Sequence, residues 1–267
     1  MYYLLHVLWI VLLAYACVCV VYFFIQEKFI FVPLIKGEVF HSQLTTPAEE
    51  LEIATPHDGL IHALLIKAPE PKGLIFYLHG NTGSLRRWQY MAEEISRLGY
   101  DVFVPDYRGY GRSRGRRSEA IMHRDQEFCY DYITAHIAYK QVVIYGRSLG
   151  TGFATRLASR RGAHKLVLET PYFNFVSLAR WYLPYLPVRY LLRYHLRSDV
   201  YIQHVRCPIQ IFHGKRDIIV PYSSALALYH QAKEAGKNVE MTTIVNGKHS
   251  NLNGFPLFTE KLRQFLA

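Results

Sequence analysis

Cysteine is scarce in this chain of 267 residues. The four present are too few and too scattered for a disulfide framework, and Cys17 and Cys19 lie inside an apolar run, leaving only Cys129 and Cys207 outside it. No Cys/His spacing of the zinc-binding kind occurs, and neither a metal nor an organic cofactor is expected. Gly (17) and Pro (12) are at ordinary levels and no period recurs, which excludes collagen-like chains and repeat arrays. Acidic side chains are the minority: 31 Lys and Arg against 21 Asp and Glu leave a formal net charge of +10. Apolar material is abundant. With 51% hydrophobic and 15% aromatic residues the chain can bury enough surface to offset its ordering entropy, so disorder is excluded.

Formal charge is missing altogether from Leu4 to Ile25, where His6 is the only residue outside the hydrophobic class. A helix over these positions would be about 33 Å long, enough to cross a bilayer core of about 30 Å. Residues 1–26 are therefore read as a transmembrane anchor. Two alternatives stand beside it. Ala14-Tyr15-Ala16 before Cys17 resembles a cleavage site, although no Lys or Arg precedes the run and apolar residues continue well past Ala16. An N-terminal core helix is the other. Lys28 and Lys36 follow the run, partly offset by Glu27 and Glu38, and the positive-inside rule leans towards a cytoplasmic location for the rest of the chain.

No Ser/Gly-rich linker or charge block interrupts the remainder, so residues 27–267 read as one domain. Short apolar runs at 74–78, 102–104, 142–145, 166–168, 209–212 and 239–245 predict strands. Between them, helical patterns run over 85–98, 118–136, 149–161 and 223–235, with a last one over 257–266. Strands that are apolar throughout and separated by helices imply an α/β fold with a mostly parallel sheet covered on both faces. Residues 51–66 predict an antiparallel hairpin turning at Asp58-Gly59. At about 171–206 the alternation lapses into an aromatic and basic stretch, read as a cap insertion.

Gly146-Arg147-Ser148-Leu149-Gly150 follows one predicted strand and opens a helix. G-x-S-x-G gains meaning from that context, in which glycines permit a sharp turn that holds the central hydroxyl clear of the sheet. Ser148 is the candidate nucleophile, with a plain helix-capping serine as the alternative. A serine hydroxyl needs a base, and the base an orienting acceptor. Asp217 lies just past the strand 209–212 and His249 just past the last strand. Glu169 and Asp199 are rival acids; His213, His195 and His204 are rival bases. For the oxyanion, the backbone N–H of Leu149 and of Asn81, in the loop Leu78-His79-Gly80-Asn81-Thr82-Gly83, are the expected donors.

Taken together, these residues resemble the α/β-hydrolase superfamily, and within it the membrane-anchored Bem-46-like branch near the monoacylglycerol lipase and serine aminopeptidase-like hydrolases. The resemblance runs from about residue 27 to the end. It is carried by Phe29-Ile30-Phe31-Val32-Pro33, Tyr77-Leu78-His79-Gly80-Asn81, Asp106-Tyr107-Arg108-Gly109-Tyr110-Gly111-Arg112-Ser113 and Gly146-Arg147-Ser148-Leu149-Gly150. Further on come His213-Gly214 with Asp217 and Val220-Pro221, then Gly247-Lys248-His249. It implies the α/β-hydrolase fold and serine-hydrolase chemistry. The polar Asn81-Thr82-Gly83 after His79-Gly80 departs from the glycine run of bulky-alcohol esterases, and a serine nucleophile argues against dehalogenase or epoxide hydrolase chemistry.

The expected activity is hydrolysis of a carboxylic ester or thioester of a small-molecule or lipid-like acyl substrate at a membrane, through an acyl-Ser148 intermediate. A serine peptidase of the same fold and a non-catalytic binding or scaffold protein are the alternatives. Arg108, Arg112, Arg114, Arg116 and Arg117 crowd one loop, with Arg86 and Arg87 nearby; they are read as a solvated turn or as a binder of anionic lipid headgroups. No nucleic-acid motif accompanies them. The cap aromatics Tyr172, Phe173, Phe175, Trp181, Tyr182, Tyr185, Tyr190 and Tyr194 either contact an apolar substrate group or pack the cap onto the sheet.

Overall fold

A computed structural model describes residues 2–33 and 44–267. The flanking Lys36 and Glu38 of the charge argument lie outside the described residues. Helix α1 (Tyr2–Ile25) buries none of its residues, so the core-helix reading does not hold. It is long and apolar enough to cross a membrane. Gln26 separates it from the single turn α2 (Glu27–Ile30).

Among the described residues the chain then builds one eight-stranded sheet. Its strands are β1 (Ala48–Thr55), β2 (Gly59–Ile66), β3 (Leu74–Leu78), β4 (Asp101–Pro105), β5 (Val142–Arg147), β6 (Lys165–Glu169), β7 (Ile209–Gly214) and β8 (Val239–Ile244). They lie in the order β1-β2-β4-β3-β5-β6-β7-β8. Only β2 runs antiparallel to its neighbours; from β4 to β8 every pairing is parallel. The β1–β2 hairpin turns through His57 and Asp58, both at positive φ, as a tight turn before Gly59 demands.

Helices α3 (Leu85–Ser96), α4 (Glu119–His136), α5 (Leu149–Arg160), α9 (Tyr222–Glu234) and α10 (Pro256–Leu266) cover the sheet. Alternate strand side chains feed opposite layers: Leu74, Phe76 and Leu78 of β3 join one core, and Ile75 and Tyr77 the other. Local chemistry sets the helix ends. Ser118 caps α4 by accepting the Ile121 N–H, and Gly99 leaves α3 at φ +86°. Elements appear where the apolar pattern predicts them, with ends shifted by at most three residues, the largest shift being the start of β1 at Ala48 rather than residue 51.

Between β6 and β7, where the alternation lapses, the stretch read as a cap holds three short α-helices: α6 (Phe175–Tyr182), α7 (Val188–Leu191) and α8 (Ser198–Tyr201). Only some of the aromatics in this stretch pack inward. Tyr172 and Tyr194 are buried in the core, whereas Trp181, Tyr182, Tyr185 and Tyr190 are exposed.

The Arg-rich loop is not a solvated turn throughout. Arg108 is fully buried, pairing with Asp125 at 2.6 Å and bonding the Thr55 hydroxyl and the carbonyls of His57 and Pro56. Arg112 pairs with Glu50 and Glu52, and Arg117 with Glu27. Arg114 and Arg116 are exposed. Sequence proximity concealed this, because the acidic partners come from distant elements.

Candidate active site

The strand β5 ends at Arg147 and α5 begins at Leu149, so Ser148 alone makes the turn. It sits at φ +51°, ψ −119°, a region that side-chain-bearing residues rarely occupy. The flanking glycines make the turn possible. A Cβ on Gly150 would lie 2.0 Å from the Leu78 carbonyl oxygen, and one on Gly146 would lie 2.6 Å from the Ala154 side chain. The strained residue is pinned by its N–H donating to Glu169 O at 2.9 Å, while its own carbonyl accepts from the N–H and hydroxyl of Thr151.

Two loops at the carboxyl ends of β7 and β8 supply the partners. They pack backbone on backbone: the Lys215 N–H donates to Ile244 O and the Arg216 N–H to Gly247 O. A Cβ on Gly214 would lie 2.2 Å from Gly247 O, so only glycine allows this approach. Asp217 is thereby set beside His249. His249 Nδ1 lies 2.8 Å from Asp217 Oδ2, and its Nε2 lies 2.9 Å from Ser148 Oγ. The other carboxylate oxygen of Asp217 accepts the N–H groups of Ile219 and Val220, each at 2.9 Å.

Burial alone would raise the Asp217 pKa. Hydrogen bonds from His213 and His249, the charge on His249 and the Val220 N–H outweigh it and hold the carboxyl well below its usual range. His213 is the partner that sequence reasoning missed. Its Nε2 lies 2.9 Å from Val220 O and 3.3 Å from Asp217 Oδ2, fully buried beneath the pair. A rival base by sequence, it contacts Asp217 rather than Ser148. Its place at the end of an apolar strand is the only local clue. Of the remaining rivals, Glu169 is tied to Arg147 and the Tyr145 hydroxyl, and Asp199 to Arg197. His195 and His204 are exposed on the cap and the turn after it.

Asn81, Ser148 and Leu149 line one cavity. Among the described residues no backbone acceptor takes the N–H of Asn81 or Leu149. The Asn81 loop is held from behind, its carbonyl accepting from the Tyr110 hydroxyl at 2.6 Å and from the Val32 N–H at 3.0 Å. His79 is buried between Tyr107 and Trp88, with Nδ1 on Gly80 O at 2.7 Å and Nε2 3.1 Å from Asp106 Oδ1. The cavity, about 380 Å³, is apolar on its remaining walls, with Phe175, Leu178, Ala179 and Tyr182 from the cap and Ile219 and Val220 from the Asp217 loop. Such a volume and lining suit an apolar group placed against the Ser148 hydroxyl.

Residues 73–174 match the model of the alpha/beta hydrolase fold family. The chain is similar to the lysophosphatidylserine lipase ABHD12 of Danio rerio, 36% identical over 212 residues that cover 72% of this chain and 55% of the relative. The Gallus gallus lipase of the same name is 30% identical over 255 residues, 84% of this chain and 65% of the relative. The chain thus spans between about half and two thirds of the length of these curated relatives. Among solved structures, an esterase of Pyrococcus furiosus superposes with a TM-score of 0.72 at 20% identity, covering 89% of this chain and 97% of the esterase. Est1E of Butyrivibrio proteoclasticus, with bound ferulic acid, gives 0.66 at 20% identity over 81% of this chain and 97% of that one. Together with the strand order these findings define the class: the chain belongs to the α/β-hydrolase superfamily.

Proposed function

We propose that this protein is a membrane-anchored serine hydrolase that cleaves the carboxylic ester of a single-chain, lipid-like substrate. The observation that carries this reading is the hydrogen-bonded row Asp217, His249, Ser148 opening onto an apolar cavity. His249 Nε2 takes the proton of Ser148 Oγ as that oxygen attacks the ester carbonyl, forming the C–O bond of a tetrahedral intermediate. The Leu149 and Asn81 N–H groups receive the oxyanion. His249 then returns the proton to the departing alcohol, leaving an acyl-Ser148 ester that water, activated by the same histidine, hydrolyses. Asp217, ionised at neutral pH by its depressed pKa, holds Nδ1 protonated and Nε2 free to accept.

The curated relatives are named for lysophosphatidylserine, a one-chain lipid, and one apolar cavity beside Ser148 accommodates one chain. Residues 1–26 serve as a single-pass anchor and residues 27–267 as the hydrolase domain, with its cap at about 171–206. Lys28 and Lys36 after the anchor, with no Lys or Arg before it, favour the cytoplasmic side for that domain under the positive-inside rule. Protease protection of the tagged full-length chain in sealed vesicles tests the orientation: a domain shielded inside vesicles of lumenal polarity reverses it. Activity is tested by labelling the purified full-length protein with a fluorophosphonate probe. Labelling lost in Ser148→Ala supports an activated serine; a folded wild type that takes no probe overturns the hydrolase reading.

A further inference from the structure

The apolar N-terminal helix is joined to the rest of the protein by more than a tether. Gln26, directly after α1, is completely buried. Its side-chain amide donates to Phe23 O at 2.8 Å and to Leu191 O at 2.9 Å, and its side-chain oxygen accepts the Arg193 N–H at 2.9 Å. Glu27 binds Arg117 at 3.3 Å, Arg193 at 3.1 Å and the Tyr194 hydroxyl at 2.8 Å. The Tyr15 hydroxyl reaches Tyr185 O in the cap at 2.9 Å. Past α2, Val32 exchanges backbone hydrogen bonds with the Asn81 loop, accepting the Gly83 N–H at 3.1 Å as well as donating to Asn81 O. A flexible leash has no need of this buried polar clamp, whose cost of desolvation is offset only if the geometry is held.

The consequence appears in the cavity. Tyr22, Phe29 and Ile30 line the same 380 Å³ space as Ser148, facing the cap residues Phe175, Leu178 and Tyr182. Tyr22 lies three residues before the end of α1, about 4.5 Å along the helix axis. That wall of the cavity therefore stands level with the end of the apolar span, where acyl chains meet headgroups in a bilayer. Phe29 is 67% exposed although it borders the cavity, as a residue on its rim would be.

Resting on the hydrolase reading above, we infer that the end of α1 together with α2 forms one wall of the acyl-binding cavity and a lateral portal, along which a lipid chain passes from the bilayer to Ser148. Tyr22 and Phe29 are specificity-determining residues for long acyl groups. The clamp at Gln26 and Glu27 keeps that wall in register with the cap, so that a chain sliding along α1 reaches the cavity without crossing water.

The test compares full-length wild type, Tyr22→Ala, Phe29→Ala and the distant control Trp9→Ala on p-nitrophenyl acetate and p-nitrophenyl dodecanoate. A two-carbon acyl group does not reach the wall; a twelve-carbon one does. The expected result is a fall in kcat/KM of tenfold or more on dodecanoate in Tyr22→Ala and Phe29→Ala. The dodecanoate-to-acetate ratio of kcat/KM falls by tenfold or more in both variants, while the distant control Trp9→Ala keeps the wild-type rates on both esters and the wild-type labelling rate. A tenfold loss corresponds to the burial of about two methylene groups. An unchanged dodecanoate-to-acetate ratio overturns the inference. So does a uniform loss on both esters, which would put these side chains in folding rather than in the cavity wall. A wild type that takes no probe and hydrolyses neither ester overturns the hydrolase reading itself, and this inference with it.

Discussion

Replacing Asp217 by asparagine changes one atom pair, and the structure dictates which way the new amide must face. Oδ1 accepts two backbone N–H groups, from Ile219 and Val220. An amide nitrogen there would set donor against donor twice, so the carbonyl of the new side chain takes that side and its NH2 group turns towards His249. The Nδ1 atom, 2.8 Å away, must then accept instead of donate. That moves the ring proton to Nε2, where it faces Ser148 Oγ at 2.9 Å and cannot accept the hydroxyl proton. The site keeps its shape and loses its base. In hydrolases with this arrangement such a tautomer reversal costs about 10⁴ in kcat, or about 5.4 kcal/mol of barrier. Single-turnover hydrolysis of p-nitrophenyl acetate measures it, with circular dichroism and thermal unfolding of the same sample reporting the fold. A well-folded Asp217→Asn protein that keeps more than a tenth of the wild-type rate would refute the claim that this carboxylate sets the tautomer of His249.

Three further outcomes follow from the packing. Arg108→Ala leaves Asp125 buried and unpaired and should destabilise the domain by about 3–5 kcal/mol in urea unfolding, whereas exposed Arg114→Ala should change it by less than about 0.5 kcal/mol; equal effects would contradict the buried ion pair. Gly150→Ala forces α5 away from β3, because its Cβ would meet the Leu78 carbonyl, and a loss of about 3 kcal/mol is expected; a neutral result in thermal unfolding would show the contact to be absent. Because the Asp217 pKa is depressed in the folded state, the stability it contributes is fully present above the unfolded carboxylate value of about 3.9 and fades as pH falls towards the folded value. The difference in unfolding free energy between wild type and Asp217→Asn should accordingly shrink as pH falls below about 4; a gap that widens over that acid range reverses the sign and the assignment.

Much of the architecture was legible in one dimension. Apolar runs of strand length between helical patterns report a parallel sheet because both faces of each strand are buried, and burial is written into residue type. Ser148, Asp217 and His249 were legible for a related reason. Each follows a strand at its carboxyl end, and a parallel sheet brings those ends to one rim. Leu149 and Asn81 could be named because they stand at fixed offsets from recognisable turns. The length of α1 was likewise plain, since an uncharged run of that size has few other uses.

Other features depended on partners far away in the chain, which no local pattern records. Arg108 looks like its neighbours Arg114 and Arg116 in sequence, yet Asp125 and the Thr55 turn enclose it while the other two face water. His213 ranks with any strand-ending histidine until the loop at 214–217 folds Asp217 back over it. Gln26 and Glu27 look like the polar end of a membrane segment; only the cap, some 165 residues on, makes them a clamp. By itself the sequence determined which residues are apolar, which turns are strained and which side chains can do chemistry, because those are properties of residues and their immediate neighbours. Tertiary structure alone decided which charges are buried in pairs and that the N-terminal helix helps enclose the space above Ser148, because burial and cavity walls are made by segments that meet only when the chain has closed.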